Sequence, residues 1–200
     1  MKKHNILSLD ELSEKSKNNL EWFWESVEKD IGIVWDTPYT KTLDTSNGIP
    51  WTKWFVEGKT NLYKSSVEKF VKTIPEKIAY NFISEDGVET KLSYFELNTK
   101  VSKLANVFKS LGVKKGDVIA IYLPMIEEAI VSILAAAKIG AVQTIVFSGY
   151  SSESLKIRLQ DCHAKILLTS DGFHRKGKAI SQKTTVDNAV IDTDIEKIIV

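Results

Sequence analysis

Cysteine occurs once in the 200 residues, at position 162, so no disulfide can form within the chain. A reducing compartment fits that composition. Arginine is almost as scarce: Arg158 and Arg175 are the only two among 27 basic side chains. Neither sign of charge dominates, and a net charge of +1 excludes a whole-molecule field that would draw the protein to nucleic acid or to an anionic membrane. Any recognition of anions must therefore be local. His4, His163 and His174 have no carboxylate or thiol partners at ligand spacing, so no metal site is read. The longest apolar run, over 129–147, is broken by Lys138 and Gly140. A membrane span needs about twenty uninterrupted apolar residues, and a helix followed by a buried strand explains the run better. The opening MKKHNILSLDELSEKS has no apolar core and no small-residue cleavage site, and does not read as a signal peptide. A cytoplasmic protein is expected.

Chemical motifs are sparse as well. No strand is followed by G-x-G-x-x-G and no G-x-x-x-x-G-K-[ST] occurs, so neither a dinucleotide fold of the Rossmann type nor a Walker-type loop has support. Cys162 lies beside His163, but adjacent residues do not face each other on a helix, and no nucleophile–base pair can be argued.

What is present divides into two textures. Residues 1–63 carry all five tryptophans, Trp22, Trp24, Trp35, Trp51 and Trp54, together with turn signals at 36–38 and 46–50. Ser8 and Glu11 have capping-box spacing, which predicts a helix whose apolar positions continue through Trp22, Phe23 and Val27. The rest of this region reads as an extended arm, its tryptophans buried against another surface.

From 64 to 200 the pattern is regular. A helix is predicted around Val67, Phe70 and Val71, ending before Pro75, and then a hairpin with its turn at Glu85-Asp86-Gly87. Ser93 and Glu96 open a helix whose apolar face runs Leu97, Val101, Leu104, Ala105, Phe108, Leu111, and Gly112 stops it. Strands at 117–123, 141–147, 164–169 and 197–200 then alternate with helices at 126–139, 152–162 and 186–191. The strands are nearly continuous in apolar residues, as expected where helices cover both faces. The fold class is α/β, a mostly parallel sheet flanked by helices. Because the chain stops within or just after a strand, the domain is expected to be incomplete.

In such sheets ligands bind beyond the carboxyl ends of the strands. Two stretches leave that edge here. Ser148-Gly149-Tyr150-Ser151-Ser152 precedes a helix, whose N-terminus favours anions, although Ser151 or Ser152 could simply cap it. Asp171 to Lys178 reads as a loop bearing Arg175, Lys176 and Lys178, interrupted by Gly177. A guanidinium fork suits phosphate oxygens, but lysines and arginines also belong on any solvated loop. Both readings stay open on the residues alone.

SYFELNTKVSKLANVFKSLGVKKGDVIAIYLPM resembles the opening of the AMP-forming acyl-CoA synthetases. EEAIVSILAAAKIGAVQTIVFSGYSSESLKIRLQDCHAKILLTSDG is similar to the acetyl-CoA synthetase branch of that family, and WTKWFVEGKTNLY to its W-F-x-G-G-x-x-N element. The likeness runs from about Trp22 onward. It implies that 1–63 is the N-terminal extension of that branch and 64–200 the first, truncated part of an adenylation domain. It implies an acetate (short-chain acyl)-CoA ligase that converts a carboxylate, ATP with Mg, and CoA into acyl-CoA, AMP and diphosphate. By position, Phe147, Ser148 and Gly149 would lie against the adenine of CoA, and Arg175, Lys176, Gly177 and Lys178 at its phosphorylated ribose, with Arg175 and Lys178 as the anion clamp. Lys178 stands where arginine is more usual. Glu57, Ser148 and Gln143 also depart from the family pattern, which admits propionate or a hydroxylated short acid as substrate. The family's Ser/Thr/Gly-rich ATP loop and its catalytic lysine are not found in these residues, so no catalytic residue is assigned. The remainder of the synthetase chain is the implied partner. The alternative is a non-catalytic product of a split gene that binds CoA or a partner chain only.

Overall fold

The computed structural model describes residues 4–200. By internal contacts the chain divides into two compact units, the second beginning at Leu62.

The first unit opens with two helices where the sequence predicts one. Helix α1 (Leu9–Asn18) is capped by Ser8, whose Oγ accepts from the Glu11 backbone at 3.1 Å. Asn19 then ends α1 and caps α2 (Leu20–Ile31), its Oδ1 accepting from the Trp22 backbone at 2.9 Å. Asn competes with the helix for its own backbone, and that is why the run breaks there. The expected extended arm is instead folded into short antiparallel pairs. β1 (Trp35–Thr37), β2 (Lys41–Asp44), β3 (Lys53–Val56) and β4 (Lys59–Thr60) pair as β1 with β4 and β2 with β3. Trp35, Tyr39 and Phe55 pack ring to ring, and the Trp35 Nε1–H donates to the buried Glu28 Oε1 at 2.7 Å. Burial does not extend to every tryptophan: Trp51 is 72% exposed. Gly58 is required by crowding, since a Cβ there would lie 2.6 Å from the Trp35 ring. Glu57 sits at φ +62°, a left-handed conformation that glycine adopts more readily.

The second unit begins with a π-type turn, Lys64–Glu68, continuing into α3 (Lys69–Thr73). β5 (Ile78–Ile83) and β6 (Glu89–Ser93) form the predicted hairpin. Helix α4 (Tyr94–Ser110) starts from a full capping box. Ser93 Oγ accepts from the Glu96 backbone, and Glu96 Oε2 accepts from the Ser93 backbone at 2.8 Å. The sheet is then built from β7 (Val118–Tyr122), α5 (Glu127–Ile139), β8 (Val142–Ile145), α6 (Ser152–Cys162) and β9 (Ile166–Thr169). A hairpin of β10 (Gly172–Arg175) and β11 (Lys178–Ser181) follows, with α7 (Lys183–Ala189) and β12 (Lys197–Ile199) after it. The four parallel strands lie in the order β12-β9-β7-β8. The final strand is a half-buried edge, not the buried strand expected.

Alternation along β7 assigns the two layers. Ile119 and Ile121 pack with Leu97, Val101 and Phe108 of α4 and Leu134 of α5. Ala120 and Tyr122 pack with Leu155 and Leu159 of α6 and Val186 of α7. A strand buried on both faces must be apolar throughout, hence VIAIY. At the amino edge of the sheet, Asp117 Oδ1 accepts from Lys165 Nζ at 2.8 Å and its Oδ2 from the Lys114 backbone at 2.8 Å, tying the entries of β7 and β9 together.

Two expectations follow. Phe108→Ala empties a fully buried position and should destabilise the fold by about 3–5 kcal/mol, whereas Ser93→Ala removes one cap and should cost about 1 kcal/mol, both read from denaturant midpoints. The Lys165 ammonium and then the Lys114 amide hold the Asp117 carboxyl below its ordinary value of 3.8. A depressed folded value favours the folded state above the unfolded pKa, and that contribution fades as pH falls below about 3.8. Asp117→Asn should therefore flatten the acid limb of stability against pH, measured by urea titration at a series of pH values.

Candidate functional site

β7, β8 and β9 are parallel, so their carboxyl ends share one edge. The connection leaving β7 runs to α5 on one face of the sheet, and the connection leaving β9 runs to α7 on the other. Crevices form where connections diverge in this way. A recess of about 200 Å³ lies here, lined by Tyr122, Ser148, Gly149, Tyr150, Phe173, Arg175, Ile180, Ser181, Gln182 and Thr185.

Its walls are held by hydrogen bonds that the sequence does not announce. The Tyr122 hydroxyl is shared between the backbone oxygens of Ser148 at 3.0 Å and Tyr150 at 2.8 Å. Burial pushes the Tyr122 phenol above its usual pKa, which keeps the proton on a donor. Gln182 is 1% exposed and donates from Nε2 to the Tyr122 carbonyl at 2.7 Å, while its Oε1 accepts from Ser170 Oγ at 2.8 Å. One buried amide thus binds the end of β7 to the exit of β9. Tyr122 carries the same connection on to the loop after β8.

The stretch expected to be a loop at Asp171 to Lys178 is largely a β-hairpin. Asp171 closes its base, the Asp171 carbonyl accepting from the Gln182 and Lys183 backbones at 2.9 and 3.1 Å. Lys176 and Gly177 form the turn, both at positive φ (+53° and +71°), the two-residue geometry that matches strand twist. The charged run concealed the period-2 pattern of Phe173, Arg175 facing Ile180, Lys178. The register sets Arg175 directly opposite Lys178 and Phe173 opposite Ile180 on that one face. The Gly177 N–H donates to Glu85 Oε1 at 3.2 Å, joining the turn to the β5–β6 hairpin.

Of the residues marked from sequence, Ser148, Gly149 and Arg175 line the recess together. A Cβ on Gly149 would stand 2.8 Å from the Phe147 ring and 3.6 Å from Arg175 Nη1, so the guanidinium closely approaches that bare backbone. Phe147 is 61% exposed beside it and lies outside β8, which ends sooner than predicted. Lys176, Gly177 and Lys178 are exposed and do not line the recess. Ser151 caps α6, its Oγ accepting from the Ser154 backbone at 3.3 Å, so the capping alternative is the one realised. Arg158, the other arginine, lies over the Tyr150 ring at 4.4 Å from its centroid. Tyr122, Phe173 and Gln182 escaped the sequence reading because each looks like an ordinary core or strand residue. Burial raises the Cys162 thiol pKa, which leaves it a poor nucleophile. No metal-binding group of three His, Cys, Asp or Glu residues occurs among the described residues.

The class follows from comparison. The chain belongs to the AMP-binding enzyme family, whose model matches residues 67–199, and the model of the acetyl-coenzyme A synthetase N-terminus matches residues 9–65. Among its relatives, acetyl-coenzyme A synthetase of Methanothrix thermoacetophila is 41% identical over 203 residues, covering 100% of this chain and 30% of the relative. Propionate–CoA ligase of Escherichia coli is 37% identical over 185 residues, covering 92% of this chain and 29% of the relative. The solved structure of acetoacetyl-CoA synthetase from Streptomyces lividans superposes with a TM-score of 0.86 at 27% identity, covering 96% of this chain and 30% of that one. The chain therefore spans about 30% of the length of the relatives it matches.

Gly172 tests the hairpin itself. A Cβ there would lie 2.5 Å from the Ile180 carbonyl oxygen, a clash with backbone that no rotamer relieves. Gly172→Ala should open β10 from β11, seen as faster amide hydrogen exchange at Arg175 and Lys178 with α4 unaffected.

Proposed function

We propose that this chain forms the N-terminal portion of an AMP-forming short-chain acyl-CoA ligase and contributes part of its CoA site. The complete enzyme would join a short carboxylic acid to CoA at the expense of ATP, with Mg, releasing AMP and diphosphate. In this reading residues 1–63 are the branch-specific extension and 64–200 begin the adenylation domain. The groups that hold ATP and perform the chemistry belong to polypeptide outside these residues.

The observation that carries the reading is the convergence of Ser148, Gly149 and Arg175 around one recess at the carboxyl edge of the sheet. Its chemistry suits a nucleotide handle. Phe147 offers an exposed ring beside a glycine backbone for a base, and Arg175 offers a fork for phosphate. Arg175, Lys176 and Lys178 have no ion pair among the described residues. Arg175 and Lys178 stand opposite each other across the hairpin, an arrangement of like charges that costs stability until an anion bridges them. Lys178 supplies charge there without bidentate geometry. The relatives named for acetyl-CoA and propionate support a short acid without choosing between them.

In the complete enzyme, Arg175→Ala should raise the KM for CoA about tenfold or more, as loss of a charge-assisted contact implies, and leave acid-dependent ATP–diphosphate exchange unchanged. Equal KM values for CoA and its form lacking the 3′-phosphate, in the wild type, would count against the clamp. Saturable CoA binding by the 200-residue chain, with no exchange activity even when a polypeptide carrying the ATP-binding and catalytic groups is supplied, would instead favour the binding-only alternative.

A further inference from the structure

A second recess, of about 370 Å³, lies between the π-type turn, α3, α4 and the end of α5. Tyr63, Glu68, Val71, Lys72, Asn98, Ser102 and Lys138 line it. Lys138 stands in the last turn of α5, where a cation suits the helix dipole, and could have extended into solvent. Instead it turns its ammonium onto two hydroxyls. Lys138 Nζ donates to Tyr63 Oη at 2.9 Å and to Ser102 Oγ at 2.7 Å. It also sits over the Tyr63 ring at 4.2 Å from the centroid.

This arrangement has a fixed polarity. An ammonium can only donate, so both hydroxyls accept from it and must send their own protons elsewhere. Both protons go to Asn98 Oδ1: Tyr63 Oη hydrogen-bonds to it, and Ser102 Oγ lies at 3.5 Å. The Asn98 amide is thereby oriented with its oxygen inward and its NH2 group left without a partner among the described residues. Around Lys138 the lining then presents donors: the remaining N–H of Lys138 and the Asn98 amide protons. Glu68, the carboxylate on the rim, is already paired with Lys72 at 3.0 Å, so those two charges offset each other. Lys138 has no carboxylate at ion-pairing distance among the described residues, and its positive charge is uncompensated. Val71 and the Tyr63 ring supply apolar wall.

From this geometry we infer that the recess is a binding site for a small oxyanion, a carboxylate or a phosphate, held by Lys138 and the Asn98 amide. It shares no lining residue with the recess at Arg175 and does not depend on the proposed function. The volume falls within the range of small-ligand sites, and a charge-assisted pair of contacts in a partly desolvated recess is the ordinary means of holding such a group.

The test uses the isotope-labelled 200-residue chain, titrated with sodium acetate or inorganic phosphate at ionic strength fixed with sodium chloride. The expected result is a saturable shift of the Asn98 side-chain amide and the Ser102 backbone amide, retained in Arg175→Ala. In Lys138→Met the Ser102 response should be about tenfold weaker, the loss of one charge-assisted contact. Asn98→Asp guards against a merely unfolded variant: it gives Lys138 an internal carboxylate, should keep or raise thermal stability, and should abolish the response. Tighter binding of phosphate than of acetate identifies a phosphate ligand, and the reverse a carboxylate. A shift that does not saturate, that chloride reproduces, or that is undiminished in Lys138→Met overturns the inference.

Discussion

β7 is covered on both faces, and the second unit is organised around that burial. With Ile119 and Ile121 turned to one layer of helices and Ala120 and Tyr122 to the other, neither layer can form without the strand between them. Such a strand cannot carry a polar group inside, so whatever chemistry it supports must be delivered at its end. Tyr122 makes that delivery: its ring belongs to the core and its hydroxyl to the loop after β8.

The recess at the carboxyl edge is therefore an extension of the core, not an attachment to it. Gln182 takes the Tyr122 carbonyl, which at a strand end would otherwise be an unpaired buried acceptor, and in doing so fixes where the β10–β11 hairpin leaves the sheet. Arg175 reaches the backbone of Gly149 because the β10–β11 hairpin carries it there and because Gly149 has no side chain. Position, more than local charge density, distinguishes Arg175 from Lys176 and Lys178 beside it.

Away from that edge the logic differs. Polar groups there pair across elements: Asp117 with Lys165 at the strand entries, and Lys138 with hydroxyls from Tyr63 and Ser102 among the helices. The first pair is complete, a carboxylate matched to an ammonium. The second leaves a cation whose partners are all neutral, and that asymmetry gives the second recess its chemistry.

Much of this was legible in the residues. Period and caps located the sheet's strands and helices, because burial on both faces forces runs such as ILLT, and the pairing of Ser93 with Glu96 marks a helix start. Family likeness pointed to Phe147, Ser148 and Gly149 with Arg175, Lys176, Gly177 and Lys178 as one site, and of these Ser148, Gly149 and Arg175 line one recess. The division of the first helix at Asn19 and the hairpin around Gly177 were less legible, since a capping asparagine and a charged β-turn each look like ordinary surface. What the linear order could not contain was proximity at long range. Tyr122 meets Tyr150 and Gln182, and Lys138 meets Tyr63, only when strands and helices distant in sequence are packed together. The sequence by itself determined which elements form, through local propensity and the period of burial. Tertiary structure alone decided which donors and acceptors are left facing a recess, because that depends on which partners the packing has already consumed.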